Sequence, residues 1–142
     1  MITADLFVAV CAQYEQELWL PICGYETAYD ISDLGRHRTV PHRVRTCSRR
    51  GTVSTRLVPA RIRVPTQGRD GDRLRIRLFR EGTHADFDLA TVVLTTFDGP
   101  APTPDHYAEH RDGDRSNNRL ENLYWSVRDE ALAAACSHMK VL

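Results

Sequence analysis

The spacing of apolar residues near the start of the chain predicts an amphipathic helix over residues 1–16. Apolar side chains recur there at intervals of three and four residues, which places them on one helix face; they belong to Leu6, Phe7, Val10, Cys11 and Tyr14. Thr3 stands before this stripe as a candidate N-cap. We expect the helix to pack on the body of the protein, with self-association through the same stripe as the alternative.

A different pattern, in which arginine alternates with aliphatic residues, runs through the middle of the chain. Residues 61–64 read Arg-Ile-Arg-Val and residues 73–78 read Arg-Leu-Arg-Ile-Arg-Leu, whereas residues 17–40 before them are turn-rich and expected to be irregular. Because successive side chains of a strand point to opposite faces, the arginines would share one face and the aliphatic residues would cover the core. The connector at 65–72 contains two glycines, so the two strands are predicted to pair as a hairpin.

The last third of the chain contains an apolar run, a proline-rich loop and a second helical pattern. Residues 87–97 fit either a buried strand or a short helix. Prolines break the chain between residues 99 and 104, and residues 127–139 predict a closing helix. These patterns favour one compact α+β domain with three segments, which are an N-terminal helix at 1–16, an arginine-rich β element at 17–86 and a C-terminal unit at 87–142.

The composition fits a globular domain and argues against a secreted or membrane-spanning protein. Hydrophobic residues make up 42% of the 142 residues and charged residues 27%, which suffices for both a core and a solvated surface. No apolar run is long enough to cross a bilayer, and the first residues lack the features of a signal peptide. The cysteines form no C-x-x-C pair, which predicts reduced thiols. We therefore expect a cytoplasmic protein of a bacterial or phage-infected cell, with no membrane partner.

Charge is distributed unevenly along the chain, although the formal net charge is zero. Residues 36–80 contain fourteen arginines and only two acids, Asp70 and Asp72, a net charge of +12, and the segments on either side are acidic. The planar guanidinium group of arginine binds phosphate or guanine through two hydrogen bonds. The arginine block therefore predicts a nucleic-acid-binding face. The alternative is a solvated strand face whose arginines pair with the acids of the flanking segments.

The densest cluster of polar residues lies between Glu109 and Trp125. It combines an acid next to a histidine, an Asp-Gly turn, three asparagines and a Leu-x-Trp sequence. A calcium loop of the EF-hand type would need glycine at its sixth position and an acid at its twelfth. Counted from Asp112, those positions are Asn117 and Leu123, so this interpretation is excluded. A simple hairpin turn would explain the Asp-Gly pair but not the asparagines.

Residues 110–125 follow the pattern H-x-D-G-D-R-x-N-N-x-x-x-N-L-x-W, which resembles the HNH endonucleases, in particular the phage-type homing and nicking enzymes. Upstream, the chain resembles the modular DNA-binding element that often precedes this nuclease domain. That similarity is carried by Glu-Leu-Trp-Leu-Pro-Ile at 17–22, Gly-Tyr-Glu at 24–26, Tyr29, and Ile-Ser-Asp-Leu-Gly-Arg at 31–36. The two matches together extend from Glu17 to about Glu130.

The resemblance implies a ββα-metal motif, in which a two-stranded hairpin and a helix hold one divalent ion, commonly Mg²⁺. His110 would be the general base that activates water, a task for which histidine is well suited near neutral pH. Glu109 would be a metal ligand, and Asn122 would hold the base or the hairpin in position. The ion would stabilise charge on the leaving 3′ oxygen. Leu123 and Trp125 would pack in the core.

Three positions depart from the family pattern. The second metal ligand, usually Asn or His in the closing helix, is replaced by Ala131, whose methyl group cannot coordinate a cation. The His-Arg pair expected in a strand before the loop is replaced by Ala90 and Thr91. Glu109 stands where the family usually has Asp or His. These changes predict a family member that binds DNA but has weakened or lost cleavage.

The sequence thus favours a double-stranded-DNA-binding protein of the HNH endonuclease family, such as a phage regulator. The arginines predicted to contact DNA are Arg36, Arg38, Arg61, Arg63, Arg73, Arg75 and Arg77. The first alternative is an active Mg²⁺-dependent nicking or homing endonuclease with His110 as base. The second alternative is a protein-interaction module, in which the acidic ends of the chain bind a partner and the arginine block pairs internally.

Overall fold

A computed structural model describes residues 17–69 and 73–127. The predicted helix at 1–16 lies outside these residues, and so does the predicted closing helix at 127–139 except for Val127, which ends a strand. The described residues form one α-helix, α1 (Leu89–Asp98), a 3-10 helix (Leu120–Asn122) and eleven strands. The strands are β1 (Trp19–Pro21), β2 (Tyr29–Ser32), β3 (His37–Thr39), β4 (His42–Cys47), β5 (Val53–Val58), β6 (Arg61–Arg63), β7 (Thr66–Gln67), β8 (Leu74–Arg80), β9 (Thr83–Asp88), β10 (His106–His110) and β11 (Leu123–Val127).

The strands form four small antiparallel sheets. The first has the order β1-β2-β3-β6, so the segment expected to be irregular contains three short strands. The second is the two-stranded pair β4-β5, which is inserted between β3 and β6. The third has the order β7-β8-β9, and the fourth is the hairpin β10-β11. The described part of the chain is therefore a mixed structure, mostly strands with one α-helix.

The predicted hairpin between residues 61–64 and 73–78 is wrong. Strand β6 pairs with β3, where His37 faces Arg63, and β8 pairs with β9 and with the short strand β7. The physical reason lies in the connections. Strands β8 and β9 are joined by only Glu81 and Gly82, both with positive φ (51° and 78°), as in the tight turns that match the twist of a hairpin.

The predicted alternation holds in β8 but not in β6. In β8, Ile76 and Leu78 are almost fully buried, whereas Arg75 and Arg77 are exposed. In and just after β6, by contrast, Ile62 is 50% exposed and Val64 is 87% exposed, so these aliphatic side chains do not cover the core. Helix α1 packs against β8, and β6 is not among the strands with which it makes its main contacts, so only one of the two segments has an element that covers its apolar face.

The apolar run at 87–97 forms a helix. Asp88 is the N-cap of α1, and its Oδ2 accepts hydrogen bonds from the backbone nitrogen of Thr91 (3.3 Å) and from the Thr91 hydroxyl (2.8 Å). Ala90 and Thr91 therefore lie in the first turn of a helix, and their predicted position in a strand is wrong. Ala90 is 1% exposed and belongs to the core, so a larger polar side chain would not fit there without rearrangement.

Helix α1 lies at the centre of the hydrophobic core and packs against strands from both halves of the chain. The core combines residues from the predicted β element with residues from the predicted C-terminal unit, among them Ile31, Ile76, Leu78, Leu94, Ala108 and Leu123. Leu123 is buried and Trp125 packs against the core, as expected. Cys23 and Cys47 are free thiols. No helix in the described ranges is long and apolar enough to cross a membrane.

Candidate active site and nucleic-acid interface

The hairpin β10-β11 carries Glu109 and His110, the predicted metal ligand and the predicted general base. Glu109 lies opposite Tyr124 and His110 lies opposite Leu123, at the end of the hairpin where the polar loop 111–122 begins. Oε1 of Glu109 accepts a hydrogen bond from the backbone nitrogen of His110 (3.1 Å), so this carboxylate is folded back onto its own strand. His110 is only 4% exposed. The arrangement places both residues next to the loop that holds the asparagines.

Asn122 holds the polar loop in place and makes no hydrogen bond to His110. Its Nδ2 donates to Oδ1 of Asp112 (2.9 Å) and to the carbonyl oxygen of Asn117 (2.8 Å), and its Oδ1 accepts from the backbone nitrogen of Asp112 (3.2 Å). Of the two expected roles for Asn122, these contacts match bracing of the hairpin loop. Each end of its buried amide is satisfied, which is the arrangement that a buried polar group requires.

Asp112 and Asp114 accept hydrogen bonds from other residues of the loop. Side-chain hydrogen bonds from Asn117 and then from Asn122 lower the pKa of Asp112 below its ordinary value. The pKa of Asp114 is also lowered, first by the side-chain hydroxyl of Ser116 and then by its backbone nitrogen. Because these carboxylates accept hydrogen bonds from within the loop, they stabilise the turn in their ionised form.

A contact that the sequence did not reveal orients His110. Its Nε2 lies 2.8 Å from Oδ1 of Asn118, another buried residue, and Nδ2 of Asn118 donates to the carbonyl oxygen of Arg115 (3.3 Å). The other ring nitrogen of His110, Nδ1, is buried and has no hydrogen-bond partner among residues 17–69 and 73–127. The paired asparagines were visible in the sequence, but spacing alone did not indicate which of them would reach the histidine.

The donors at this site do not match the divalent ion that the family resemblance implies. No group of three or more His, Cys, Asp or Glu side chains in the described ranges could hold a metal ion. The nearest carboxylate to His110 in sequence, Glu109, is hydrogen-bonded to its own strand. Ala131, which stands at the expected second-ligand position, lies beyond the described residues and has no donor atom. This donor set does not fit an ion held by the chain alone, since Mg²⁺ needs oxygen ligands at near-ideal octahedral positions.

Four of the seven arginines predicted to contact DNA form ion pairs within the protein. Arg36 pairs with Glu17, Arg38 with Asp30, Arg73 with Asp88 and Arg77 with Asp86. The first pair lowers the pKa of the glutamate and the last lowers that of Asp86, in each case mainly through the hydrogen bond from the guanidinium group. Arg38 also lies over the Trp19 ring, with its guanidinium carbon 4.1 Å from the ring centre. For these four, pairing with internal acids accounts for part of the arginine block.

The other three predicted arginines, Arg61, Arg63 and Arg75, are exposed and form no ion pair with any residue in the described part of the chain. Arg63 nevertheless contributes to the electrostatics of the sheet. Together with burial, which is the larger effect, its charge lowers the pKa of His37 to about 4. Guanidinium groups outside any ion pair are the stronger candidates for phosphate contacts. Arg75 differs from the other two in lying near Asp86, whose pKa its charge helps to lower.

The pair β4-β5 is a second arginine surface, and the sequence analysis did not predict it as a ribbon. Its six-residue strands make their contacts mainly with each other and extend from the β3-β6 pair. Arg43 and Arg45 are exposed on β4 and Arg56 on β5, with no ion pair to a described residue. At about 3.3 Å per residue the ribbon is about 20 Å long. The available signal was the alternation of residues 42–46, in which arginine is flanked by less polar residues.

An open cleft of about 830 Å³ connects the arginine-rich sheet with the polar loop. Arg73, Arg75 and Arg77 of the sheet line this cleft together with Arg115 of the loop. Two acids, Asp86 and Asp88, also line it, and both are engaged by arginines. The cleft therefore presents positive charge next to the loop that orients His110.

Comparison with known proteins supports both halves of the resemblance. Residues 91–133 match the HNH endonuclease family, and residues 17–79 match the NUMOD4 motif. Among solved structures, the fold is similar to that of the HNH homing endonuclease I-HmuI, described for its DNA binding and cleavage. The TM-score is 0.59 at 23% sequence identity, over 85% of this chain and 59% of the other. This chain thus spans about three fifths of that endonuclease structure, and the likeness concerns the fold. No curated protein matches the chain significantly.

Proposed function

Because the chain carries an HNH endonuclease domain and a NUMOD4 motif, of the kind associated with phage-type homing endonucleases, we propose that it binds double-stranded DNA and that its phosphodiester cleavage is weakened or lost. HNH endonucleases typically use divalent metal ions. In this proposal the element at 17–86 supplies most of the affinity and the unit at 87–142 lies against the scissile region. A role as a regulator in a phage or its host is consistent with binding without cleavage.

The observation that carries DNA binding is the set of exposed arginines that form no ion pair with a described carboxylate. They lie on β6, on β8 and on the β4-β5 ribbon, and they are Arg43, Arg45, Arg56, Arg61, Arg63 and Arg75. The width of the ribbon, two strands, is what the major groove of B-form DNA admits. Arg43 and Arg45 share one face of the ribbon and Arg56, which is paired with Val44, lies on the other. Arginines on either face would reach phosphates and guanine edges. The cleft beside the polar loop would carry the backbone of the same duplex past His110.

Weakened cleavage is supported by the chemistry of the donor set. Glu109 is the one carboxylate that the family pattern assigns to the ion, and Ala131 cannot supply the second ligand. An ion at this site would depend on oxygens of the DNA phosphate and on water, so its occupancy at the scissile bond would fall. The scaffold around the site is nevertheless intact, because Asn122 braces the loop from both ends of its amide.

An active nicking endonuclease is the second candidate, and the geometry of His110 favours it. The ring is buried and its Nε2 is hydrogen-bonded. Its Nδ1 has no partner within the described ranges. A bare nitrogen held in a fixed orientation is what a general base requires. Replacement of His110 with alanine would then abolish cleavage and leave DNA binding intact, whereas in the binding-only protein it would change neither.

DNA binding is tested by gel shift of the full chain with duplex DNA over a series of salt concentrations. The logarithm of the binding constant should fall by about 0.9 per phosphate neutralised for each unit of log salt. The triple variant Arg61→Ala, Arg63→Ala, Arg75→Ala should bind at least about tenfold more weakly, with a shallower slope. The matched control is Arg119→Ala, which removes an exposed arginine that pairs with Glu121 and belongs to the polar loop instead of a strand. Absence of binding at low salt would refute the proposal and favour a protein-interaction module.

A further inference from the structure

The N-terminal motif contacts the loop that orients His110 at one tight point. A Cβ atom at Gly35 would lie 2.6 Å from the carbonyl oxygen and 2.8 Å from the carbonyl carbon of Asn118, so only glycine fits there. Gly35 also has a φ of 80°, a conformation that other residues rarely adopt. Next to it, the carbonyl oxygen of Asp33 accepts a hydrogen bond from the backbone nitrogen of Leu120 (2.8 Å). The turn therefore contacts the loop at Asn118 and at Leu120.

The turn itself is held by its own hydrogen bonds. The backbone nitrogen of Gly35 donates to the carbonyl oxygen of Ser32 (3.1 Å), and the Ser32 hydroxyl accepts from the backbone nitrogen of Arg36 (3.1 Å). Ser32 is fully buried at the end of β2. At the other end, the Asp33 nitrogen donates to the carbonyl oxygen of Leu18 (3.0 Å). A turn tied to a buried strand in this way is a rigid support.

Hydrogen-bond donors and acceptors around Asn118 fix the tautomer of His110. The carbonyl oxygen of Arg115 can only accept, so the group of Asn118 that faces it is the NH₂. The oxygen of the same amide then faces Nε2 of His110, and that nitrogen must carry the proton in order to donate. In a neutral imidazole the other nitrogen is then a bare acceptor. That nitrogen is Nδ1, the one without a partner in the described part of the chain.

We propose that Asn118 is a positioning residue that holds His110 as the Nε2–H tautomer with Nδ1 free to accept a proton, and that the turn 32–36 of the NUMOD4 motif holds Asn118 in place. The N-terminal motif is then a structural part of the nuclease site as well as a DNA-binding element. The consequence for cleavage rests on the proposed function, because it needs His110 as base. The tautomer itself does not, and it can be measured without DNA.

The direct test is a long-range ¹H–¹⁵N NMR spectrum of the full chain labelled on its six histidines, recorded at mildly alkaline pH. The variant His110→Gln identifies the signals of His110 by their disappearance. In the wild type, the two ring nitrogens should differ strongly in shift, with Nε2 as the protonated one. A spectrum with the proton on Nδ1, or with two averaged nitrogens, would overturn the proposal whether or not any variant folds.

Variants then separate positioning from general stability. Asn118→Leu keeps the volume but removes the acceptor, so the shifts of the two His110 nitrogens should move towards each other. Gly35→Ala should cause a smaller change in the same direction. The matched control is Gly51→Ala, because Gly51 has nearly the same φ (81°) but a Cβ atom there would lie more than 4 Å from the described residues other than its chain neighbours. The signals of buried His37 report folding in each variant.

An unchanged His110 tautomer in a folded Asn118→Leu protein would refute the role of Asn118. An unchanged spectrum in folded Gly35→Ala would refute the role of the turn. Neither result would affect the gel shift, so failure of this proposal is distinguishable from failure of the proposed DNA binding. Conversely, if the protein binds no DNA but shows the expected tautomer, the role of Asn118 in positioning His110 stands and the proposed DNA-binding function is refuted.

Discussion

Arg73, the residue that precedes β8, donates a hydrogen bond to the backbone carbonyl oxygen of Ala108 in β10, and the same guanidinium group pairs with Asp88, the N-cap of α1. One side chain therefore connects the arginine-rich sheet, the central helix and the strand that carries His110. Arg73 had been predicted to contact DNA from its place in the alternating pattern. Its contacts indicate that it stabilises the fold around the site.

Arg73→Ala is expected to lower the free energy of unfolding by about 1–3 kcal/mol, because it leaves a buried carbonyl and a helix-capping carboxylate without their charged partner. Arg75→Ala should change the unfolding free energy by less than about 0.5 kcal/mol, since Arg75 is exposed and makes no described ion pair. Per unit of folded protein, Arg75→Ala should weaken DNA binding more than Arg73→Ala does. Urea unfolding and gel shifts on both variants check this. Equal stabilities would contradict the structural role of Arg73.

Asn122→Leu is expected to lower the free energy of unfolding by about 2–4 kcal/mol. The substitution removes three hydrogen bonds, two to Asp112 and one to Asn117, that hold the loop to the buried amide of Asn122. Urea denaturation followed by circular dichroism gives the value. Glu121→Ala, at the neighbouring exposed position, is the matched control and should stay within about 0.5 kcal/mol of the wild type. A similarly small effect of Asn122→Leu would show that Asn122 does not brace the loop.

The lowered pKa of His37 predicts that the free energy of unfolding decreases at acidic pH. Burial, with a smaller contribution from the charge of Arg63, lowers the pKa of His37 to about 4 in the folded protein, from an ordinary value near 6.5. The unfolded state therefore binds more protons than the folded state between these two values, so stability decreases as the pH falls from about 6.5 to about 4. The contribution that is lost is roughly 2–3 kcal/mol.

The measurement is the urea midpoint of the wild type and of His37→Gln near neutral pH and near pH 5. The difference in unfolding free energy between the two pH values should be smaller in His37→Gln than in the wild type. His84→Gln, at an exposed position on β9, is the matched control and should keep the wild-type pH dependence. If His37→Gln also keeps that dependence, His37 is not the group that titrates.

Gly35→Ala is expected to destabilise the protein by more than Gly51→Ala. Both glycines have φ near 80°, so the backbone cost of alanine is similar at the two positions. At Gly35 the added methyl group would also overlap the backbone of Asn118, whereas at Gly51 it would meet no neighbour within 4 Å in the described part of the chain. The difference should be at least about 1 kcal/mol in urea unfolding. Equal effects at the two sites would mean that the turn and the loop move apart without cost.

Much of the site could be predicted from the sequence because its residues are contiguous. The motif from His110 to Trp125 fixes which residues form the loop and the end of the hairpin, and the family match at 91–133 agrees with it. The partner of His110 could not be predicted, since two asparagines, Asn117 and Asn118, stand side by side and only the turn geometry decides between them.

The strand pairing was harder to predict than the strands themselves. The alternation of residues 74–78 correctly indicated which face of β8 is buried. It did not indicate the neighbour, because pairing depends on the turns, and the Glu81-Gly82 turn was not recognised as a hairpin connection. The same pattern at 61–64 failed, since burial of an apolar face requires an element packed on it, and sequence periodicity does not report that.

The central claim is that Ala131 accounts for lost or weakened cleavage on a scaffold that still binds DNA. The most direct test is nicking of supercoiled plasmid in Mg²⁺ and in Mn²⁺ by the wild type and by Ala131→Asn, with a gel shift on the same samples. We predict that both proteins bind DNA, that the wild type nicks weakly or not at all, and that Ala131→Asn nicks in a reaction abolished by EDTA and by His110→Ala. Efficient EDTA-sensitive nicking by the wild type would contradict the claim.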